Sequence, residues 1–193
     1  LKNFMTLNEN ENLKEIFNLI FPEFENLERL VKLKKIGNNL RTNRSLLLAT
    51  LLIDDKDSHE YFGHKYNISN NLKEELNSFA LNLKMIKENK NFFSKDLEKN
   101  IYLYDKDHLT NLNILNFVIN DKVKTDDFFN TFKRILKSKI HKFTIDGKYL
   151  MKNGMQEGAL MGKVLKKIEE EWIRNDFKIT KVKVQEIIKS YSN

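Results

Sequence analysis

Cysteine is absent from the 193-residue sequence. Without it the chain cannot form disulfide bonds, thiolate zinc sites or a cysteine nucleophile, and it is compatible with a reducing cytosol. Proline occurs once, as Pro22, and glycine occurs six times. These two residues supply the tight turns of a many-stranded fold, so their scarcity predicts a mostly helical protein.

Long hydrophobic runs are missing as well. The longest apolar stretch, residues 46–53, is far shorter than the roughly 20 residues that a membrane-spanning helix requires. The first residues do not follow the pattern of a signal peptide. We therefore expect a soluble, cytoplasmic protein without a membrane partner. The chain begins with Leu1 rather than methionine, which is compatible with a piece of a longer product.

Apolar residues recur at helical spacing along most of the chain, which predicts an all-α fold. The capping residues Ser69 or Asn70 and Thr180 predict two helix starts, Thr125 with Asp126 and Asp127 opens another helix, and a further long helix is predicted from 158. A short helix is expected at 148–152, and others near 11–20, 24–36, 43–53, 95–104 and 109–119. The polar stretches 54–58 and, more weakly, 121–124 are candidate breaks, and we place the boundary of two regions, 1–121 and 122–193, at the second.

Positive charge is concentrated in the last third of the chain. Residues 132–193 hold 15 of the 34 Lys and Arg residues but only 7 of the 27 Asp and Glu residues. That segment carries a net charge of +8 and the remainder carries −1. Such a local excess is typical of a surface that meets phosphate, although a solvated lysine-rich face has the same composition.

Residues 143–177 hold the most informative pattern. Gly147, Gly154, Gly158 and Gly162 fall within sixteen positions and lead into an amphipathic helix that ends at Trp172 and Ile173. Gly154 suits a left-handed helix C-cap, and Gly158 suits a helix start whose free backbone N–H groups bind a phosphate. Gly158 and Gly162 lie one turn apart, which would let another backbone approach closely. From the residues alone, caps and packing between two helices remain the alternative.

This stretch resembles the C-terminal signature of bacterial tRNA nucleotidyltransferases, the class II family of CCA-adding enzymes and poly(A) polymerases. Tyr149 stands where the family usually has aspartate, and Glu157 and Ala159 replace prolines. Upstream the likeness is weaker and rests on residues 24–33, 44–52 and 68–76. The residues that match the signature are Gly147, Leu150, Met151, Gly154, Gly158, Gly162, Leu165, Trp172 and Ile173, followed by Phe177, Thr180 and Ile187.

The resemblance implies an elongated helical body, residues 1–121, and a basic helical tail, residues 122–193, that hold tRNA or another RNA during tRNA processing. Such recognition uses the RNA backbone and its shape more than its sequence. Arg41 and Arg44 are secondary candidates for RNA contact. The residues expected to bind RNA are Gly158, at the helix start, and the cations Lys142, Lys148, Lys152, Lys163, Lys166, Lys167 and Arg174.

The family's catalytic head, with a glycine turn and an Asp-any-Asp pair that binds two magnesium ions, has no counterpart in this sequence. Asp55 with Asp57 and Asp105 with Asp107 lack the preceding glycine turn. We therefore expect no catalytic residue, metal site or cofactor in this chain, with Mg²⁺ bound by the absent head. The four histidines are expected to be structural. Two alternatives stay open: a subunit of a split nucleotidyltransferase whose separate head supplies catalysis, or a helical interaction module without an RNA role.

Overall fold

The computed structural model describes residues 10–36 and 43–191, so the candidate Arg41 lies outside the described residues. Within these ranges the secondary structure is entirely helical, which confirms the all-α prediction. No helix in this part of the chain is long and apolar enough to cross a membrane. The helices are α1 (Glu11–Ile20), α2 (Arg29–Lys35), α3 (Arg44–Leu52), α4 (Ser58–Lys65), α5 (Asn70–Glu88), α6 (Leu97–Tyr104), α7 (Lys106–Ile119), α8 (Thr125–Lys137), α9 (Gly147–Lys152), α10 (Ala159–Arg174) and α11 (Lys181–Ser190).

The chain divides into two units. The first unit comprises the residues up to Leu97 together with Tyr104–Ser138, and the second comprises Glu98–Leu103 together with the residues from Lys139 onward. This division differs from the predicted boundary at 121/122 because α8 packs along α7. The rings of Phe117 and Phe128 lie 5.0 Å apart, and the side-chain amide of Asn113 donates a hydrogen bond to the backbone carbonyl of Phe128 at 3.1 Å.

The core of the first unit is built on α3, which packs against α5 and α7. A helix that is apolar on most of its surface is stable only when it is surrounded, and Leu46, Ala49 and Leu52 are fully buried. The carbonyl groups at the end of α3 need hydrogen-bond donors. Arg29 of α2 supplies them, because one guanidinium nitrogen donates to the carbonyls of Thr50 and Ile53 at 3.2 and 2.7 Å.

Helix α4 was not predicted, and its capping explains why. Its N-cap, Asp57, has a left-handed backbone (φ 56°) and makes no side-chain cap hydrogen bond. The carboxylate of Asp54 accepts instead from the backbone N–H and the hydroxyl of Ser58, at 3.1 and 2.6 Å. The polar stretch 54–58 therefore looks like a linker in the sequence, yet it starts a helix inside the first unit.

The core of the second unit lies where α9, α10 and α11 meet. Val164 and Ile168 of α10 are fully buried, as is Leu150 of α9. The remaining buried members are Met155, Val184, Ile187 and Ile188. Their spacing along α10 and α11 is the amphipathic pattern that the sequence predicts, so α10 presents one apolar side to this core and its opposite side to solvent.

The turn after α9 is a Schellman motif, in which the chain reverses through a left-handed residue. Gly154 has a φ of 90°, its N–H donates to the carbonyl of Met151, and the N–H of Met155 donates to the carbonyl of Leu150, both at 3.1 Å. Met155 and Leu150 are buried together in the core, as this motif favours. The predicted left-handed C-cap at Gly154 is thus confirmed.

Replacing Gly154 with alanine tests this turn. A Cβ there would meet no atom within 4 Å, so the cost comes from the backbone conformation alone and should lower the free energy of unfolding by about 1 kcal/mol. Gly162→Ala is the matched control, because Gly162 lies inside α10 with equally open surroundings; alanine there should raise that free energy by about 0.5–1 kcal/mol. Urea denaturation measures both, and equal effects of the two substitutions would contradict the assigned turn.

Candidate nucleic-acid interface

Helix α10 carries a row of cations on the side opposite its buried face. Lys163, Lys166 and Lys167 are exposed and stand three and four residues apart, the spacing of neighbours on one helix face. Val164 and Ile168, which alternate with them along the chain, are fully buried. We call these three lysines the α10 stripe. Arg174 continues the row near the end of the helix and is also exposed.

The members of this row differ in their acidic partners. The Lys167 ammonium lies 3.8 Å from a carboxylate oxygen of Glu170, and the Arg174 guanidinium lies 2.9 Å from one of Glu171. Lys163 and Lys166 form no ion pair within residues 10–36 and 43–191. Two cations of the stripe are therefore not neutralised by the protein. The ion pair of Lys167 with Glu170 is partly exposed and contributes little to stability, so a phosphate could take the place of Glu170.

Helix electrostatics do not account for where these lysines stand. A helix dipole favours acidic residues near its start and basic residues near its end. In α10 the stripe lies between the first turn and the last turn, outside the two ends of the helix where this preference acts. Helix α8 differs, because it begins with Asp126 and Asp127 and ends with basic residues.

The basic end of α8 forms hydrogen bonds within the first unit. The guanidinium of Arg134 donates to the backbone carbonyls of Phe93 and Ser94 at 2.9 and 3.0 Å. The ammonium of Lys106 donates to the carbonyl of Leu136 at 2.8 Å. Part of the charge counted after residue 131 therefore stabilises the first unit, and the exposed cations of α10 are the better candidates for binding an anion.

The start of α10 is open, as predicted. Its N-cap, Gly158, is exposed and offers no side-chain acceptor to the first backbone N–H groups. The starts of α9 and α11 are capped, because Asp146 accepts from the N–H of Tyr149 at 2.8 Å and Thr180 accepts from that of Lys183 at 3.2 Å. Free N–H groups at the positive end of a helix favour an anion.

The prediction of a close backbone approach at Gly158 and Gly162 is wrong. No atom of the described chain would lie within 4 Å of a Cβ added at either glycine. The tight position is Gly147, where an added Cβ would lie 2.8 Å from the sulfur of Met161. This contact brings the start of α9 against the first turn of α10, so Lys148, next to Gly147, lies on the same part of the unit as the start of α10.

The remaining predicted cations are all exposed. Lys142 lies in the extended segment between α8 and α9, and Lys148 and Lys152 lie at the two ends of α9. None of these three forms an ion pair in the part of the chain that the structure describes. Arg44 is exposed at the start of α3 and belongs to the first unit.

A cluster of aromatic rings in the second unit has no signal in the sequence. The ring of Trp172 lies 5.3 Å from Tyr102, 5.3 Å from Phe143 and 4.9 Å from Phe177. The imidazole of His141 stacks on Phe177 with 3.7 Å between ring centroids, and its Nε2 lies 2.7 Å from a carboxylate oxygen of Glu98. His141 is therefore engaged within the unit, in line with a structural role.

Tyr102 is also engaged through its hydroxyl, which donates a hydrogen bond to the carboxylate of Glu169. Burial, followed by this hydrogen bond and the negative charge of Glu169, raises the pKa of Tyr102 to about 12. All three effects favour the neutral phenol. A phenolate would be poorly hydrated, could not donate the hydrogen bond and would face a carboxylate. Helix α6 is thus tied to α10 inside the second unit.

The aspartate pairs examined as possible metal sites have structural partners. Asp55 and Asp57 pair with Lys87 and Lys84 at 3.4 and 3.7 Å, and Asp105 caps α7 by accepting from the N–H of His108 at 2.8 Å. Across residues 10–36 and 43–191, no group of three or more histidine and acidic side chains is placed to hold a metal ion.

No protein-family model, no curated protein and no solved structure matches the chain.

The link between Tyr102 and Glu169 predicts a pH-dependent stability. The folded-state pKa of Tyr102, about 12, exceeds the ordinary value of 10.0, so its stabilisation is complete below pH 10 and is lost as the pH rises through 12. Tyr102→Phe should lower the free energy of unfolding by less than about 1 kcal/mol near neutral pH, because solvent screens this partly exposed pair. The difference between the two proteins should shrink in strong base. Urea unfolding of the two proteins near neutral pH and in strong base measures this difference. A difference that does not change with pH would contradict the hydrogen bond between Tyr102 and Glu169.

Proposed function

We propose that this chain binds RNA, and tRNA in particular, through the exposed basic side of its second unit. The observation that carries the proposal is the α10 stripe, Lys163, Lys166 and Lys167, which faces solvent, lies outside the helix turn where the dipole would favour cations and is only partly paired with acids. Cations placed in this way gain little for the fold, whereas they would release condensed counterions on meeting phosphates.

The contacts expected from this geometry are to the RNA backbone. A helix face of lysines offers point charges rather than the planar fork that reads a base edge. The open start of α10 at Gly158 adds backbone donors beside the stripe. Lys142, Lys148 and Lys152 extend the basic surface, and together these groups suit an RNA that is recognised by its shape and its phosphates.

The resemblance to tRNA nucleotidyltransferases is the reason for naming tRNA as the RNA that is bound. Two glycines of the signature have local tasks: Gly154 reverses the chain through a left-handed backbone, and Gly158, which has no side-chain acceptor, leaves a helix start open. The departure at Tyr149 does not disturb the signature's first helix, because Asp146 caps that helix. We infer a body-and-tail portion of a CCA-adding enzyme or poly(A) polymerase, acting on tRNA in the cytoplasm.

In this proposal catalysis belongs to a head that this chain does not contain. The head would bind the Mg²⁺ ions and the nucleotide, while the present residues would hold the RNA. The chain by itself is then an RNA-binding module and adds no nucleotide to tRNA.

A second candidate, a subunit of a split enzyme, is favoured by the surface of α1. This helix buries none of its residues, and its apolar side chains are exposed to an unusual degree, 83% for Leu19 and 56% for Ile20. Leu13 and Ile16 extend the same apolar surface. Exposed apolar surface of this kind is typical of a protein contact, and a separately encoded head is the partner that the resemblance provides.

Salt-dependent tRNA binding tests the proposed function. If about five phosphates are contacted, the affinity should fall by roughly a hundredfold or more between about 50 and 200 mM salt. Lys163, Lys166 and Lys167 changed together to glutamine should weaken binding by about tenfold or more and reduce the slope of log affinity against log salt by about 2 to 3. Fluorescence anisotropy of a labelled tRNA transcript measures both quantities.

The matched control changes Lys90, Lys95 and Lys122 to glutamine. These lysines are exposed in the first unit and form no ion pair among the described residues, so the loss of charge is the same. Equal losses in the two triple variants would mean that charge acts diffusely and that the stripe is not the site. Unchanged binding by the stripe variant, with helicity retained, would refute the stripe as the RNA contact, and failure of the wild-type chain to bind tRNA at any salt concentration would favour the interaction module.

A further inference from the structure

A cavity of about 360 Å³ opens beside the aromatic cluster of the second unit. It lies between the extended segment that follows α8 and the turn that follows α10. This volume falls at the lower end of the range of about 300–1,000 Å³ for small-ligand sites, which suits a group the size of one nucleotide. The lining residues are Phe143, Thr144, Ile145, Trp172, Phe177, Lys178 and Ile179.

Three aromatic rings form part of the wall of the cavity. The rings of Phe143 and Trp172 are inclined at 53° with centroids 5.3 Å apart, and those of Trp172 and Phe177 are inclined at 72° with centroids 4.9 Å apart. Lys178 and Thr144, both exposed, add an ammonium group and a hydroxyl. Lys178 forms no ion pair within residues 10–36 and 43–191. Aromatic walls beside a free cation are the chemistry that binds an unpaired nucleobase and its phosphate.

One wall is held in a conformation that a bulky residue rarely adopts. Asp176 and Phe177 have left-handed backbones, with φ values of 52° and 60°. The N–H of Phe177 donates to the carbonyl of Trp172 at 2.8 Å, Asp176 pairs with Lys99 at 3.2 Å, and His141 stacks on the Phe177 ring. Strained residues persist only where their surroundings fix them, and they are concentrated at ligand sites. The Phe177 wall is therefore preformed.

We propose that this cavity, the ring pocket, takes one unpaired nucleobase of a bound RNA. Because the rings of Phe143, Trp172 and Phe177 are inclined to one another, the base stacks on one of them and meets the others with its edge, and Lys178 contacts the adjacent phosphate. The inference rests on the proposed RNA-binding function and deepens it, because the α10 stripe recognises phosphates of any RNA, whereas the ring pocket requires an unstacked base. A folded tRNA offers such bases in its loops and at its 3′ end, and a continuous duplex does not.

Trp172 is the only tryptophan in the sequence, so selective excitation of tryptophan reports on the surroundings of one ring of the pocket, and an RNA duplex controls for effects of binding elsewhere. The probes are an unmodified tRNA transcript and a blunt, fully paired RNA duplex, each labelled so that anisotropy follows binding in the same solution. Binding of tRNA should quench Trp172 emission, and binding of the duplex should leave it unchanged. Phe143→Leu, which keeps an apolar side chain but removes the ring, should lower the tRNA affinity by about tenfold and reduce the quenching.

Lys178→Gln provides a second variant whose folding is not in question, because the side chain is exposed and unpaired in the described chain. It should weaken tRNA binding severalfold, with the larger loss at low salt. Lys189→Gln, at an exposed position near the end of α11 and outside the cavity, is the matched control and should leave the affinity near that of the wild type.

The results of these experiments distinguish failure of the ring pocket from failure of the proposed RNA binding. Bound tRNA with unchanged Trp172 emission, or equal quenching by the duplex, would overturn the ring pocket and leave RNA binding intact. Equal affinities of the Lys178→Gln and Lys189→Gln variants would overturn the role of Lys178. Absence of tRNA binding by the wild-type chain would overturn the proposed function and the ring pocket together.

Discussion

The burial of Val164 and Ile168 against Leu150 and α11 fixes the rotation of α10 about its own axis. Each of these two side chains contributes on the order of 1.5–3 kcal/mol when it is removed from water. A rotation by one residue would expose both of them and bring lysines into the core. The outward direction of the α10 stripe is therefore a consequence of packing, so no other interaction is required to hold the proposed RNA surface in place.

The same constraint orients the other end of the helix. Trp172 follows Ile168 by one turn, so the side of α10 that faces the core continues into the aromatic cluster. The two proposed contacts thus stand on different sides of one rigid helix, the stripe toward phosphates and the tryptophan toward a ring-lined cavity. The structural boundary also corrects the charge count: residues 139–193 hold 12 Lys and Arg residues against 7 acidic residues, a smaller excess than residues 132–193 suggested.

Local signals explain what the sequence could predict. Ser69, Thr180 and Gly154 cap their helices where the sequence places them, and the amphipathic spacing of α10 predicts its buried side. Features that depend on residues far apart in the sequence could not be predicted from the sequence alone. Residues 98–103 join a unit formed by residues more than thirty positions later, and the ring pocket takes its walls from two separated segments. Helix α4 was missed for a local reason, because it is capped by Asp54 rather than by its own N-cap residue. The close backbone approach that the glycine spacing predicted at Gly158 and Gly162 is not formed; the tight contact lies at Gly147 and depends on the packing of the Met161 side chain.

Mapping of photocrosslinks between tRNA and the intact chain tests the central claim most directly, because it locates the RNA without altering any residue. Crosslinked peptides, identified by mass spectrometry, should come from residues 142–178 of the second unit, and added salt should abolish them together with binding. Crosslinks confined to α3, α5 and α7 of the first unit, under conditions in which tRNA is bound, would contradict it.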